Sequence, residues 1–374
     1  MTLGCAPLTI VQVAPSLGIG GVETYLYRLS LGLVERGHRI ILVVREPGAY
    51  AERATATGAE LLVVPFEGAG METAVSRLAT AGVDLVHAHN YRAARFGRRL
   101  SQALGTRYLM SVHGPRPWYK RLLFRDWSPT VVAMSEADRE NIVGHWGVRW
   151  ERIELSFYGI DTGRFGPHVD GAGFRAELGL GEGPLIVHVS RFSHRKAEPA
   201  LALVEALGEV RRHFPGAVLA LVGKGPGARR IEARARALGL LDGPGGGERG
   251  ALRLVGRRTD IPEIMAAADA VVATANTALE AIATGTGTIA FGRAGYGGIV
   301  DRKGFEQARA HCFADHGRLS RLEHPARLAG DLVTLLGRDP SEAAGLARLM
   351  ARDYHLGRMA EQVEAIYRRT VDGR

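Results

Sequence analysis

Short apolar segments rich in Val, Ile and Leu alternate with longer amphipathic segments along most of this chain. Nearly continuous apolar runs of this kind are typical of strands buried on both faces of a parallel sheet. The predicted strands are residues 8–15, 39–45, 60–66, 84–90, 107–114, 130–135, 185–191, 217–223, 252–256, 270–274 and 287–292. Between them, residues 22–36 and 93–104 place apolar side chains on one helical stripe, and residues 341–371 are predicted to be helical. The alternation predicts an α/β protein built from doubly wound sheets.

The alternation is interrupted once, at residues 156–170 (SFYGIDTGRFGPHVD). We place a joint there between two Rossmann-like halves. A single sheet of about eleven strands is disfavoured, because strongly twisted sheets rarely exceed roughly ten strands. Ligands of such folds bind beyond the carboxyl ends of the parallel strands. The residues that carry chemistry are therefore expected in the loops that follow the strands.

Composition excludes several classes of protein. Hydrophobic residues make up 46% of the 374 residues and charged residues 23%, which is typical of a soluble globular chain. No apolar run approaches the roughly 18 residues of a membrane-spanning helix. The first residues, MTLGCAPLTIVQVAP, lack the basic start and long apolar core of a secretory signal and are predicted to include a strand. Cys5 and Cys312 cannot form a disulfide scaffold, and the chain has no CxxC or HExxH motif for a metal.

The positive charge of the chain is concentrated in one stretch. Lys and Arg number 48 against 39 Asp and Glu, and residues 85–125 contain nine of these bases and no acid. This bias implies an anionic partner, namely phosphate, anionic lipid or nucleic acid. A nucleic-acid partner is disfavoured because the basic stretch contains no recognisable nucleic-acid-binding motif. Residues 116–127 interleave bases with aromatic side chains, which predicts contact with an anionic membrane surface. The alternative is that this segment packs on its own domain or lines an acceptor groove.

The loop after the first strand is rich in glycine. Gly18, Gly20 and Gly21 allow close approach of a ligand to the backbone, and the helix that follows offers its N-terminal N–H groups to an anion. The spacing is not GxGxxG, so dinucleotide binding fits weakly. The competing interpretation is a tight strand-to-helix turn without a ligand.

Histidines end two strands of the first half. His113 could donate to a sugar hydroxyl or stabilise developing charge, although a lone histidine is more often structural. His87 and His89 alternate along the preceding strand. Because no carboxylate ligand stands nearby, we interpret them as structural.

Basic residues follow the strands of the second half. Arg191 ends the first of these strands and Lys196 follows five residues later. A guanidinium and an ammonium together are suited to a diphosphate. Gly223 with Lys224, and Arg257, bring further glycine and charge to the same edge.

One acidic residue completes the candidate site. Glu280 lies near the start of a predicted helix and could accept hydrogen bonds from both hydroxyls of a ribose. The competing interpretation of Glu280 is an ordinary surface position on its helix.

Taken together, these features resemble the GT-B glycosyltransferases, specifically the retaining glycosyltransferase family 4 (group 1) type. The resemblance covers nearly the whole chain. It is carried, in order, by residues 18–24 (GIGGVET) with 33–38 (LVERGH), 84–89 (DLVHAH), 111–114 (SVHG), 132–136 (VAMSE), 159–167 (GIDTGRFGP), 189–196 (VSRFSHRK) and 260–269 (DIPEIMAAAD).

The resemblance implies a two-domain architecture. Residues 1–165 would form an acceptor domain and residues 166–355 a nucleotide-sugar donor domain, facing each other across a cleft. Residues 356–374 would form a C-terminal helix that packs back on the first domain. The implied location is the cytoplasm, with peripheral binding at the inner membrane face as an alternative.

The resemblance also implies an activity. A hexosyl group would move from a UDP or GDP sugar to a glycan, lipid-linked or small-molecule acceptor, as in the synthesis of cell-surface polysaccharides. Transfer would proceed with retention, without a protein nucleophile, a metal or a cofactor. Arg191 and Lys196 would hold the diphosphate and Glu280 the ribose. Gly20 and Gly21 would line the cleft, with His113 near the transferred sugar.

Two departures from the family pattern stand out. The family's paired glutamates are usually eight residues apart, and eight residues before Glu280 stands Val272; Asn276 and Thr277 are expected to face the sugar or phosphate instead. The joint has Phe157-Tyr-Gly where relatives often have Pro-Asn-Gly. Two alternatives therefore stay open: a non-catalytic GT-B protein that binds a nucleotide or partner, and a nucleotide-sugar epimerase.

Overall fold

The computed structural model describes residues 6–18, 20–115, 124–241 and 250–373, except for the side chains at 194 and 195. The chain divides into two compact units. The first comprises the chain up to Gly159 together with the chain from Tyr354 onward, and the second is Ile160–Asp353. The boundaries predicted from the sequence are residues 165 and 355. Residues 160–165 lie with the second unit, where the Arg164 guanidinium donates to the Thr259 carbonyl at 3.2 Å.

The elements are numbered in chain order. The strands are β1 (Thr9–Ser16), β2 (Arg39–Glu46), β3 (Glu60–Val63), β4 (Leu85–His89), β5 (Arg107–Val112), β6 (Val131–Ala133), β7 (Ile153–Leu155), β8 (Leu185–Val189), β9 (Val218–Val222), β10 (Leu252–Gly256), β11 (Ala270–Ala273), β12 (Gly287–Gly292) and β13 (Gly295–Val300). The helices are α1 (Gly21–Glu35), α2 (Ala51–Ala56), α3 (Gly70–Leu78), α4 (Tyr91–Leu104), α5 (Glu136–Trp146), α6 (Ala172–Glu177), α7 (Glu198–His213), α8 (Ala228–Ala237), α9 (Ile261–Ala267), α10 (Ala275–Thr284), α11 (Phe305–Ala310), α12 (Pro325–Leu336), α13 (Pro340–Asp353) and α14 (Leu356–Asp372).

Each unit is built on one sheet. Within the described ranges, the first sheet has the order β3-β2-β1-β4-β5-β6-β7 and is parallel throughout. The second has the order β10-β9-β8-β11-β12-β13, with β13 antiparallel to β12. The chain winds outward in both directions from β1 in the first sheet and from β8 in the second. Such switch points open a ligand crevice at the carboxyl ends of the strands.

Local sequence explains where the first unit's helices begin and end. The Asn90 side chain caps α4 by accepting from the Arg92 backbone N–H at 2.9 Å, and Ser135 caps α5 by accepting from the Asp138 N–H at 3.1 Å. Both helices end at a glycine in the left-handed conformation, Gly105 and Gly147. Strand β4 is buried along its whole length, as an inner strand covered on both faces requires.

The C-terminal helix α14 packs on α1 and β5 within the first unit. A Cβ on Gly32 would lie 2.8 Å from the Ala360 Cβ, so the two helices approach closely. The Glu364 carboxylate accepts from Arg36 at 2.5 Å and from Arg368 at 2.6 Å. These contacts join the end of the chain to its first helix.

All eleven predicted strands are present, but two further strands were missed. Strand β7 has only three residues, and β13 (GYGGIV) contains glycines that are depleted in strands. The single helical segment predicted at 341–371 is two helices, α13 and α14, separated at Tyr354 and His355.

The predicted membrane-contact segment lies mostly outside the described residues, which leave out 116–123. In the part that is described, the Phe124 and Trp127 rings pack edge-on against Trp146, with ring centroids 5.9 and 5.8 Å apart. These two aromatic side chains therefore pack on their own unit, as the alternative interpretation predicts. No helix in the described ranges is long and apolar enough to cross a membrane.

Candidate active site

The loop after β8 carries the two basic residues at the centre of the sequence prediction. The Ser190 backbone N–H donates to the Val222 carbonyl at 3.0 Å, and its hydroxyl donates to the Lys196 carbonyl at 3.1 Å. Phe192 is buried and has a φ of 45°, which is uncommon for a bulky residue. Arg191 and Lys196 are thus presented at the switch point by a backbone fixed at several points.

The glycines after β9 press directly against this loop. A Cβ on Gly223 would lie 1.8 Å from the Ser190 carbonyl oxygen, and one on Gly225 would lie 1.8 Å from the Arg191 carbonyl oxygen. A Cβ on Gly227 would lie 2.7 Å from the Phe192 oxygen. Because backbone packs directly against backbone, these positions require glycine. The same packing fixes the position of the Arg191 backbone.

Charges of both signs surround Lys196, which is half-buried, whereas Arg191 is exposed. Burial lowers the pKa of Lys196 from its usual value. The nearby Arg191 and Arg293 guanidinium groups lower this pKa further, whereas the Asp315 carboxylate raises it. Three cations, Lys196, Arg191 and Arg293, thus act on the same region as one carboxylate, Asp315, so positive charge is in excess there. The arrangement is therefore suited to binding a multiply charged anion.

The other predicted residues of this unit stand on neighbouring loops of the same sheet edge. Lys224 after β9 and Arg257 after β10 are exposed. Asn276 and Thr277 lie in the first turn of α10, and Glu280 lies one turn further along, half-buried. Because parallel strands end at one edge, these loops share that edge with Arg191. Val272 is fully buried in β11 and contributes no acidic group there.

The structure adds two residues that the sequence analysis missed. Arg293 follows β12, and its Nε donates to the Asp315 side chain at 3.1 Å and to the Asp315 carbonyl at 2.9 Å. A base directly after a buried strand was the signal that identified Arg191, and the same signal could have identified Arg293. Asp315 follows no strand, and no sequence pattern marks it.

In the first unit, His113 belongs to a cluster of rings at the carboxyl edge of the sheet. Its Nε2 lies 3.4 Å from His89 Nδ1 and its Nδ1 lies 3.3 Å from the Tyr158 hydroxyl. Its ring packs edge-on against Tyr25, with centroids 4.9 Å apart. These contacts orient the His113 imidazole, which remains partly exposed.

His87 and His89 are fully buried in β4. The His87 ring nitrogens contact the Tyr367 hydroxyl at 2.7 Å and the Ser111 hydroxyl at 2.5 Å. Burial lowers the pKa of His87 to about 3 and holds that of His89 well below its usual value. Both imidazoles are therefore neutral at pH 7, in agreement with a structural role. Among the described residues, His, Cys, Asp and Glu form no group of three or more that could hold a metal ion.

The buried histidines predict instability in acid. Burial also lowers the pKa of His188 to about 4, while its Nδ1–H donates to the Val272 carbonyl at 2.7 Å. In the unfolded chain these histidines bind protons below about pH 6.5, whereas in the folded protein they stay neutral to a lower pH. Their contribution to the free energy of unfolding is therefore complete above about pH 6.5 and is lost as the pH falls. His87 and His188 should each lower the free energy of unfolding by about 2 kcal/mol at pH 5 relative to pH 7. We expect thermal melts of the wild type to move to lower temperature between pH 7 and pH 5.

The matched variant is His188→Asn, whose amide can donate to Val272 without titrating. Its melting temperature should depend less on pH than that of the wild type. An identical pH dependence in the two proteins would show that His188 titrates equally in the folded and unfolded states.

Gly20 and Gly21 stand where α1 begins, after the switch-point strand β1. Gly20 has an extended backbone, and its carbonyl accepts from the Thr24 N–H at 2.9 Å. Glu23 occupies the first turn of the helix, where an acid is stabilised by the helix dipole. A ligand of this site would therefore meet a carboxylate as well as N–H groups.

A cavity of about 770 Å³ lies elsewhere in the second unit. Its lining includes Asp269, which precedes β11, and Gly287, which begins β12. Three arginines also line it: Arg302, Arg338 and Arg348. It therefore opens at the amino edge of the sheet, opposite the loops that carry Arg191 and Lys196. In it, Arg338 is paired with Asp301 and Glu342.

Comparison with known families decides the identity of the fold. The family described as Glycosyltransferase Family 4 matches residues 19–164, and the family described as Glycosyl transferases group 1 matches residues 183–338. The chain is a glycosyltransferase of the family 4, group 1 type. The family resemblance is thereby confirmed.

Individual relatives agree with this assignment. This glycosyltransferase is 28% identical over 244 residues to the GDP-mannose-dependent alpha-(1-6)-phosphatidylinositol monomannoside mannosyltransferase of Mycolicibacterium smegmatis, covering 60% of this chain and 62% of that one. The match thus spans less than two thirds of that relative's length. The chain is also 25% identical to the D-inositol 3-phosphate glycosyltransferase of Kineococcus radiotolerans, over 95% of this chain and 92% of that one.

A solved structure shows the fold. Anabaena Alr3699/HepE in complex with UDP and glucose superposes with a TM-score of 0.76 at 19% identity, covering 96% of this chain and 99% of that chain. The predicted GT-B class, with two Rossmann-like sheets, is confirmed.

Proposed function

We propose that this glycosyltransferase moves a hexosyl group from a nucleoside-diphosphate sugar to an acceptor, and that Arg191 and Lys196 bind the diphosphate. One observation carries the proposal: Lys196 is half-buried beside Arg191 and Arg293 at the switch point of the second sheet. Buried cations are costly unless they are paired, and a diphosphate is the pairing group that a sugar donor brings.

The same residues can assist bond cleavage. When the bond between the sugar and the diphosphate breaks, negative charge accumulates on the leaving phosphate oxygen. The Arg191 guanidinium and the Lys196 ammonium stabilise that charge more strongly than they stabilise the intact donor. Glu280 accepts hydrogen bonds from the ribose, and Asn276 and Thr277 face the sugar or phosphate.

The first unit supplies the other group proposed for the reaction. His113, whose ring His89 and Tyr158 orient, is proposed to stand near the transferred sugar. The proposed acceptor is a glycan, a lipid-linked sugar or a small molecule. The M. smegmatis relative takes GDP-mannose and the Anabaena structure holds UDP, so the relatives support a nucleoside-diphosphate donor of either base.

A ligand screen tests the proposal. UDP, GDP, ADP and their sugars are added singly, and the melting temperature is recorded. A ligand at 100 times its Kd stabilises the folded protein by about 2.7 kcal/mol, so the true donor should give a clear rise. If none of these nucleotides raises the melting temperature, the proposed function is wrong.

Product analysis separates the proposal from its two rivals. A transferase should hydrolyse its donor slowly without an acceptor, and Arg191→Ala should abolish that hydrolysis. A non-catalytic nucleotide-binding protein would show neither effect. An epimerase would convert the donor sugar to its epimer with no acceptor present.

A further inference from the structure

An unusual turn precedes Asp315. Its three residues, Cys312, Phe313 and Ala314, have φ values of 48°, 49° and 66°. None of them is glycine, so the left-handed backbone is strained at three consecutive positions. Strain of this kind persists only where the surroundings hold it, and it is frequent at functional sites.

The surroundings of this turn are the ends of two strands at the site's edge. The Ala275 N–H, at the start of α10, donates to the Cys312 carbonyl at 3.2 Å, and the Ala294 N–H donates to the Ala314 carbonyl at 3.0 Å. A Cβ on Gly292 would lie 2.5 Å from the Ala314 carbonyl oxygen. The turn is thus pressed against the chain where it leaves β11 and β12, beside Asn276 and Thr277.

The Asp315 carboxylate is held at one oxygen. Oδ1 accepts from Arg293 at 3.1 Å, whereas Oδ2 lies 3.7 Å from His316 Nε2, which is too long for a hydrogen bond. The side chain is 15% exposed, so a ligand can still reach it. Asp315 therefore combines a fixed position with remaining capacity to accept hydrogen bonds.

Asp315 also lies within the electrostatic reach of Lys196. A diphosphate on Lys196 and Arg191 would be repelled by a carboxylate, so the carboxylate marks the limit of the phosphate-binding region. The part of the donor next to the diphosphate is the sugar, which is neutral and carries several hydroxyl donors. A carboxylate is the strongest acceptor a protein offers to such hydroxyls.

We propose that Asp315, held by Arg293, accepts hydrogen bonds from the hydroxyl groups of the donor sugar and is a specificity-determining residue of the site. The inference rests on the proposed function, since it assumes a nucleoside-diphosphate sugar at Lys196. It assigns to the 312–316 segment a contact with the sugar rather than with the diphosphate.

Calorimetry with the isosteric variant Asp315→Asn tests this assignment. The ligands are the nucleoside diphosphate and the sugar nucleotide that the wild type binds, either UDP with UDP-glucose or GDP with GDP-mannose. Affinity for the diphosphate should be unchanged or higher, because a negative charge has been removed. Affinity for the sugar nucleotide should fall about tenfold relative to the affinity for the diphosphate, because a hydrogen bond to a charged group is lost. The ratio of the two Kd values is the quantity to compare.

Asp301→Asn is the matched control, since Asp301 also accepts from an arginine in this unit, at 3.4 Å from Arg338, but at the opposite edge of the sheet. It should leave the ratio unchanged. If Asp315→Asn does not fold, Asp315→Glu, which keeps the charge and displaces it, should change the ratio in the same direction. An unchanged ratio of Kd values, or an equal loss of affinity for both ligands, would mean that Asp315 only stabilises its turn. A wild type that binds none of UDP, GDP, ADP and their sugars would refute the proposed function instead.

Discussion

Lys196→Met is expected to lower kcat/KM for sugar transfer about 100- to 1000-fold. The change removes a half-buried ammonium that stabilises charge on the leaving diphosphate, while methionine keeps most of the apolar stem. Removing one preorganised donor from a site of developing negative charge typically has an effect of this size. The measurement is the steady-state rate with the donor found in the ligand screen, together with the Kd of the matching nucleoside diphosphate.

The matched control is Lys303→Met, an exposed lysine in the same unit that lines the cavity at the amino edge of the sheet. It should retain wild-type activity. If Lys196→Met folds with an unchanged melting temperature and also keeps its kcat/KM, Lys196 does not contact the leaving group.

Gly225→Ala is expected to destabilise the second unit by about 3 kcal/mol, the upper end of the usual cost of overpacking. The new Cβ would stand 1.8 Å from the Arg191 carbonyl oxygen and 2.9 Å from the Arg191 and Phe192 carbonyl carbons. Because those neighbours are backbone atoms of a fixed loop, a side-chain rotation cannot relieve the clash. The melting temperature should fall by roughly 6–12 °C. Donor affinity should also fall, since Arg191 must move.

Gly208→Ala provides the comparison within the same unit. Gly208 is an exposed residue inside α7, and nothing lies within 4 Å of a Cβ placed on it. Alanine there should stabilise the protein by about 0.5–1 kcal/mol. Equal melting temperatures for the two alanine variants would contradict the close approach of the two loops.

Much of the fold could be predicted because buried parallel strands leave a direct signal. Runs such as IVQVA in β1 and LIVHV in β8 are apolar at nearly every position, as strands covered on both faces must be. Strand β13 leaves no such signal. It is an antiparallel edge strand whose sequence is half glycine, and only its pairing with β12 makes it a strand.

The candidate site could be predicted only where a residue follows a strand. Arg191 and Lys196 are predicted on this signal, and their contact with a donor stays a prediction. Asp315 could not be found, because its position depends on Arg293 and on a strained turn held by residues distant in sequence. Gly223 is predicted as a ligand-binding glycine because it follows a strand at the same edge, whereas the structure shows a packing reason for it; its contact with the donor stays a prediction.

The most direct test of the account is a crystal structure of the protein with its nucleoside diphosphate bound. We expect phosphate oxygens within hydrogen-bonding distance, about 2.7–3.2 Å, of the Arg191 guanidinium and the Lys196 ammonium. A diphosphate bound instead at the amino edge of the second sheet, among Arg302, Arg338 and Arg348, with Lys196 untouched, would contradict it.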